Sequence, residues 1–403
     1  VSAGVVHRLR LGPSDRADAY YRYLPVSLDG EVGGLTVSLD YDRSSAVVDL
    51  GLWGPEGFRG WSGGARDRFT VAPDWATPGY LPGPVGPGEY QVALGLYRVP
   101  PGGVEVVVEA RPRAVPRPED PPSPPVPEPS PLGRPPAGPG RRWVAGDLHA
   151  HTEHSDGSHS IEELAALARS TGLDFLAVTD HNTVSHHRHL ESAGRRYGMT
   201  LIPGQEVTTP EGHANCLGDI GLVDFRGSSD RWAEHCLDAG GLLSINHPVA
   251  GDWAWRRPME RLPDLVEVWH WTWDRRDDNA LRWWQALGVG VGVGGSDYHR
   301  PGESFPGRPT TWVEVDDDGA GPPSVAAVLD ALGAGRVAIS AGPDSPVAVR
   351  AGDRVVVRDG DGTCLVTAEG ASRPVVGALA ELPAPPGPLR LIGPDGVALA
   401  LVP

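Results

Sequence analysis

Lysine is missing from this sequence; all 35 of its basic residues are arginine. That excludes a Schiff-base lysine, a phosphate-binding P-loop lysine and a carbamylated-lysine bridge between metals. Cysteine is scarce. Cys216, Cys236 and Cys364 are odd in number and show no CxxC spacing, which argues against a disulfide framework and a structural zinc knot. Positive charge is short as well: 52 acidic residues leave a net charge of −17, and no basic run appears. An extended nucleic-acid surface is therefore not expected, although a local basic pocket stays open. No apolar run reaches about 18 residues, so no membrane span is expected. The N-terminus "VSAGVVHRLRLGPSD" has no signal-peptide apolar core, which favours a cytoplasmic protein. Its first residue is Val, which leaves secretion open.

What is present divides the chain into four parts. Residues 1–110 read as a β-sandwich-like domain. In "LTVSLDY", Leu35, Val37, Leu39 and Tyr41 alternate with polar residues; Tyr90, Val92, Leu94 and Leu96 repeat the period of two, as do Val104, Val106 and Val108. Residues 111–141 form a linker: 13 prolines fall between 111 and 140, which suits an extended polyproline spacer. From 142 to 343 apolar runs alternate with helical periodicity, with helices expected from Ile161, near 185–197, near 229–239, near 276–287 and over 323–333. Ser160 and Glu163 have the spacing of a capping box. Repeated strand–helix units imply a parallel sheet, and their number favours an α/β barrel. The tail, 344–403, returns to short strands, either a small β-rich domain or a sheet packed on the N-terminal sandwich.

Histidine is where the chemistry gathers. The stretch "GDLHAHTEHSDGSHS" (146–160) holds four of the 14 histidines, His149, His151, His154 and His159, beside Asp147 and Asp156. Imidazoles and carboxylates packed this closely are costly to bury unless a cation sits between them. His149 and His151 are two apart on a strand, so both reach one ion. Further polar residues also fall at strand ends: Asp180 and His181, Glu206, His247, and Asp297 with His299. In a βα barrel all of those ends open on one face.

In order, the motifs are "DLHAHTEHSDG", "VTDHN", "GQEVTTPEGHANCLG", "INHP" and "GGSDYH". Over about residues 143–300 they resemble the PHP superfamily, the polymerase and histidinol phosphatase metallohydrolases. The segments "EVTTPEGHAN" and "GRPTTWVEV" are most similar to its carbaryl-hydrolase-like (CehA/McbA) branch. The resemblance implies a distorted (βα)7 barrel with three divalent ions. His149, His151, Glu206 and Asp297 would hold the first and carry the catalysis. Asp156, His181 and His299 would hold the second, and bridging Glu206 with His213 and His247 the third. His213 lies where "GHAN" also reads as a turn. Mixed N/O ligands without Cys suit Zn, Mn or Fe.

The expected activity is hydrolysis by a metal-bridged hydroxide, of a phosphoester first and of a carboxyl or carbamate ester as the alternative. A non-catalytic scaffold is the third reading. The expected partner is a small-molecule ester or phosphoester. Arg300 and Arg308 are candidate phosphate clamps, and His270 in "EVWHWTW" a candidate substrate contact. Asp147 and Asp180 are expected to orient imidazoles from behind the ligands. The remaining histidines, among them His154, His186, His187 and His189, read mostly as solvent-facing. "GVGVGG" is not a dinucleotide loop, because Pro301 and Pro306 stand where a helix must follow.

Overall fold

The computed structural model describes residues 4–119, 121–317, 319 and 321–403. Residues 1–3 of the expected sandwich, 120 of the linker, and 318 and 320 of the barrel segment lie outside the described residues. The chain forms two compact units: Val1–Pro122 with Glu153–Gly157 and Asp180–His186, and Ser123–Thr152 with Ser158–Thr179 and His187–Pro403.

The first unit holds two four-stranded antiparallel sheets. One runs Val5–Leu11, Val104–Pro112, Leu35–Tyr41, Arg68–Val71; the other runs Tyr21–Leu28, Gly88–Arg98, Val47–Gly54, Gly57–Trp61. Most of the period-two residues are buried. Leu35, Val37, Leu39, Val106 and Val108 from the first sheet share a single core with Leu50, Leu52, Val92 and Leu94 from the second. Burying each such side chain contributes about 1.5–3 kcal/mol. A one-and-a-half-turn helix, Pro13–Asp18, had no signal in the periodicity.

The second unit is mixed α/β and rich in strand. Its main sheet has 13 strands. Arg141–Asp147, Phe175–Val178 and Thr200–Thr209 pair in parallel. The chain then turns straight back: Gly212–Leu217 is antiparallel to Thr200–Thr209 and also to Leu242–Ile245. Parallel pairing resumes through Leu265–His270 to Val291–Gly295. A single parallel bridge, Ala150 to Tyr298, joins the segments that follow the first and last of these strands. On the other side of Arg141–Asp147 lie Thr310–Asp316 and Val337–Ser340, both antiparallel. The C-terminal strand Ala398–Val402 pairs with Val337–Ser340, so the tail continues this sheet, with a separate three-stranded sheet of Val347–Ala351, Arg354–Arg358 and Leu379–Pro383.

The helices of this unit are Ile161–Ser170, His187–Tyr197, Ser229–Asp238, Asn279–Leu287 and Val325–Gly333. The capping box is present: Ser160 Oγ accepts from the Glu163 N–H at 3.2 Å, and Glu163 Oε2 accepts from the Ser160 N–H at 2.8 Å. The buried face of that helix is Ile161, Leu164, Ala165 and Ala168. Among the described residues no helix is long and apolar enough to cross a membrane.

Candidate metal centre

The strand Arg141–Asp147 is apolar and buried, and where it ends the chain becomes polar without becoming exposed: Asp147, His149, His151 and Thr152 are all fully buried. The other chemistry arrives in the same way. Glu206 lies beyond Pro203, the last residue of Thr200–Thr209 paired with Phe175–Val178, and faces Asn215 across the hairpin. His247 stands two residues past Ile245, and Asp297 two past Gly295.

In the second unit these residues meet. His149, His151, Glu206 and Asp297 each offer a ligand atom, and those atoms lie within 4.8 Å of one another. His149 Nε2 is 3.2 Å from Glu206 Oε1 and 3.1 Å from Asp297 Oδ1. His151 Nε2 is 2.9 Å from Asp297 Oδ1. His213 Nδ1 and His247 Nε2 approach Glu206 Oε1 at 3.2 and 3.4 Å. His213 is on the strand Gly212–Leu217 and not in a turn, which is what aims it there. The His299 ring stacks on His151 with centroids 4.1 Å apart. His270 Nε2 lies 3.2 Å from Asp297 Oδ2. Asp156 and His181 belong to the first unit, where Asp156 Oδ1 and His181 Nε2 are 3.5 Å apart.

Two residues that hold this cluster differ from expectation. Glu267, in the middle of the apolar strand "LVEVWH", accepts from His149 Nδ1 at 3.1 Å and from the His247 backbone N–H at 2.7 Å. Periodicity gave it no role; the only signal was an acid inside a fully buried strand. Asp147 orients backbone, not an imidazole. It accepts the N–H groups of His149, Ser296 and Gly307 at 3.2, 3.0 and 2.7 Å. These bonds brace strained positions. His247 (φ +29°) and Asp297 (φ +46°) adopt left-handed backbone that costs about 1–3 kcal/mol each. Gly295 must lack a side chain: a Cβ there would stand 2.2 Å from Glu267 Oε1 and 2.6 Å from the His149 Cβ.

Other expectations are corrected or refined. His154 and His186 are buried, not solvent-facing. His154 Nδ1 bonds Ser185 Oγ at 2.7 Å, and His186 Nδ1 is 3.3 Å from Asp180 Oδ2, so Asp180 attends His186 while also accepting from Ser155 Oγ at 2.7 Å. Arg308 pairs with Asp344 at 2.8 Å and Arg300 with Glu303 at 3.2 Å, both half-exposed.

Electrostatics at the cluster are unusual for a protein interior. Burial works to lower the His149 pKa, but Asp297, Glu206 and Glu267 together raise it well above the ordinary imidazole value. His247 is raised against burial by Glu206, Glu267 and Asp297. Asp297 runs the other way: burial works to raise it, yet His149, His151, His270 and His299 hold it well below the carboxylate range. Three buried carboxylates ringed by imidazoles call for positive charge.

The donor set fits a divalent ion. His149 Nδ1 is held against Glu267, and its Nε2 is buried with no hydrogen bond despite two carboxylate oxygens near 3.2 Å. An imidazole nitrogen aimed at two carboxylates calls for positive charge between them, from a ring proton or from a metal ion. An imidazole whose far nitrogen is tied to a carboxylate is the usual form of a metal-ligating histidine. N/O donors without Cys suit Zn or Mn.

Comparisons with known proteins agree on the first half of this region. The PHP domain model matches residues 147–239, which carry His149, His151, Asp156, His181, Glu206 and His213. The chain is 40% identical over 63 residues to a 5'-3' exoribonuclease of Haemophilus influenzae, covering 16% of this chain and 23% of that protein. It is 36% identical over 62 residues to a phosphoribosyl 1,2-cyclic phosphate 1,2-diphosphodiesterase of Eggerthella lenta, covering 15% and 24%. The chain thus spans about a quarter of each of these relatives. A solved two-domain protein from Bacteroides vulgatus, described as containing a predicted PHP-like metal-dependent phosphoesterase, aligns with 68% of this chain and 98% of its own at 15% identity and a TM-score of 0.44.

Proposed function

We propose that this chain is a metal-dependent hydrolase of the PHP superfamily and that it cleaves phosphoesters. The observation that carries the reading is the buried Nε2 of His149, without a hydrogen bond and aimed at Glu206 and Asp297. The names of the two relatives matched over short stretches, an exoribonuclease and a cyclic-phosphate diphosphodiesterase, support the phosphoester over other esters. The finer architecture goes with it: a distorted (βα)7 barrel preceded by a β-sandwich.

His149, His151, Glu206 and Asp297 would hold one ion and Glu206 with His213 and His247 another, drawn from Zn, Mn or Fe. When bound, such ions activate water near neutral pH and neutralise charge that develops on the phosphoryl oxygens. The chain's own groups do the rest. Glu267 fixes the His149 ring and the His247 backbone. Asp147 fixes the turn carrying Asp297. Arg300 and Arg308 would take a substrate phosphate by exchanging Glu303 and Asp344, since exposed ion pairs contribute only about 0–1 kcal/mol.

A panel of p-nitrophenyl phosphate, bis-p-nitrophenyl phosphate and p-nitrophenyl acetate, with Mn or Zn, tests the assignment. Turnover of a phosphate substrate that chelator abolishes is the expected result. Turnover of the acetate alone selects the carboxyl-ester alternative, and no metal-dependent turnover of any substrate removes the enzymatic reading.

A further inference from the structure

A cavity of about 210 Å³ opens beside the cluster, within the second unit. Its inner wall is His247, Glu267 and His270; its outer wall is Trp273, Asp274 and Asp277. Drug-sized sites run from roughly 300 Å³ upward, so this one suits a small headgroup. Its charge is one-sided. Asp277 accepts from the Trp273 indole N–H at 3.0 Å and from the Asn279 backbone N–H at 3.1 Å and side-chain amide at 3.2 Å, all neutral donors. Asp274 accepts the Arg276 backbone N–H at 3.0 Å. Their neighbour Asp278 is neutralised by Arg282 at 2.7 Å, whereas no ion pair of Asp274 or Asp277 is formed among the described residues. His247, which lines the cavity, has a buried Nδ1 that makes no hydrogen bond.

We propose that this cavity binds the leaving group of the substrate and that the leaving group carries a positive charge: an alkylammonium alcohol joined to the phosphoryl group. Trp273 offers an indole wall to a cation, and Asp274 and Asp277 offer two uncompensated carboxylates, while His247 and His270 join this pocket to the cluster where the ester bond is cut. An anionic or purely apolar leaving group would leave both acids without a counter-charge. The inference rests on the phosphoesterase reading for the step of hydrolysis, but not for binding.

The test separates the two. Choline and its neutral isostere 3,3-dimethyl-1-butanol are titrated into the metal-loaded protein by calorimetry, and choline phosphate is compared with 3,3-dimethylbutyl phosphate for phosphate release. Choline should bind at least tenfold more tightly than the isostere, and its phosphate should be cleaved with at least tenfold higher kcat/KM. The Asp274→Asn and Asp277→Asn variants keep an acceptor oxygen for the loop bonds. Each should reduce the preference for choline phosphate over the neutral ester, and the double variant should erase it. Choline binding without cleavage of either phosphate keeps the pocket and overturns the phosphoesterase reading. Equal binding of the two alcohols, or a preference that survives in the double variant, overturns the pocket assignment.

Discussion

Two interiors in this chain are buried to the same degree and built from opposite materials. The core of the first unit is Leu, Val, Phe and Tyr, drawn from two sheets. In the second unit, equally deep positions hold Asp147, His149, His151 and Glu206 at or beyond the parallel-paired stretches and Glu267 within a strand. The first interior stabilises by removing apolar surface from water. The second costs free energy for every charge it hides, adds two strained backbone positions, and returns that cost only if a cation completes it. An apolar interior specifies a fold; a polar interior that a fold must be strained to hold specifies chemistry.

The largest expected effects would break that contrast in one step. Glu206→Gln or Asp297→Asn should reduce hydrolysis to background and lower the bound metal per chain. Phe69→Ala, which removes a ring stacked on Tyr80 at 3.9 Å, should cost about 3–5 kcal/mol of stability with metal per chain unchanged. Mass spectrometric metal analysis beside thermal unfolding reads both. Equal metal content in all three variants would dissolve the distinction.

Next in size is Glu267→Gln. It removes the charge behind the His149 ring and weakens the brace on His247, and metal affinity should fall about 10–100-fold. Competition with a chelating dye measures this, and an unchanged affinity would mean that Glu267 is a structural acid only.

A smaller effect is protonic. In the metal-free protein Asp297, Glu206 and Glu267 raise the His149 pKa well above the ordinary imidazole value and so favour the extra proton on the ring. A metal needs the Nε2 lone pair, so its binding must expel about one proton, and affinity must rise with pH until the raised pKa is passed. Calorimetry in buffers of different ionisation enthalpy counts that proton; a count of zero contradicts the assignment.

The smallest lies in the first unit. Burial raises the Asp49 carboxyl to about 7, against the lowering effects of the Tyr20 hydroxyl, 3.4 Å away, and of His181. Its folded pKa exceeds its unfolded one, 3.8, so the folded state holds the extra proton between those values. Stability is fully present below about pH 4 and declines as pH rises toward 7. Asp49→Asn should flatten that decline, seen as a gap in Tm between variant and parent that widens from pH 4 to pH 8. Parallel curves would mean Asp49 is charged throughout.

How much of this could be read in the sequence follows the same contrast. Period-two runs such as Tyr90, Val92, Leu94 and Leu96 announce their burial because each residue's role is local. His149, His151, Glu206 and Asp297 were legible for a related reason: a polar residue just after an apolar strand has few explanations. Glu267 was not, since its role depends on the register that sets it behind His149. Asp147 looked like a partner for imidazoles, but its carboxylate serves backbone amides 149 and 160 residues away in the chain, at Ser296 and Gly307. The hairpin of Thr200–Thr209 with Gly212–Leu217 was hidden because "GHAN" between apolar runs reads equally as turn or strand. The buried positions of His154 and His186 depend on partners in other loops, which no local pattern encodes.

The most direct measurement is an anomalous-scattering map of the purified protein, collected at the absorption edge of whichever metal elemental analysis finds. The account predicts a peak within bonding distance of His149 Nε2, His151, Glu206 and Asp297. Metal-free protein that stays inert when Mn or Zn is supplied, or an anomalous peak remote from His149 Nε2, would contradict it.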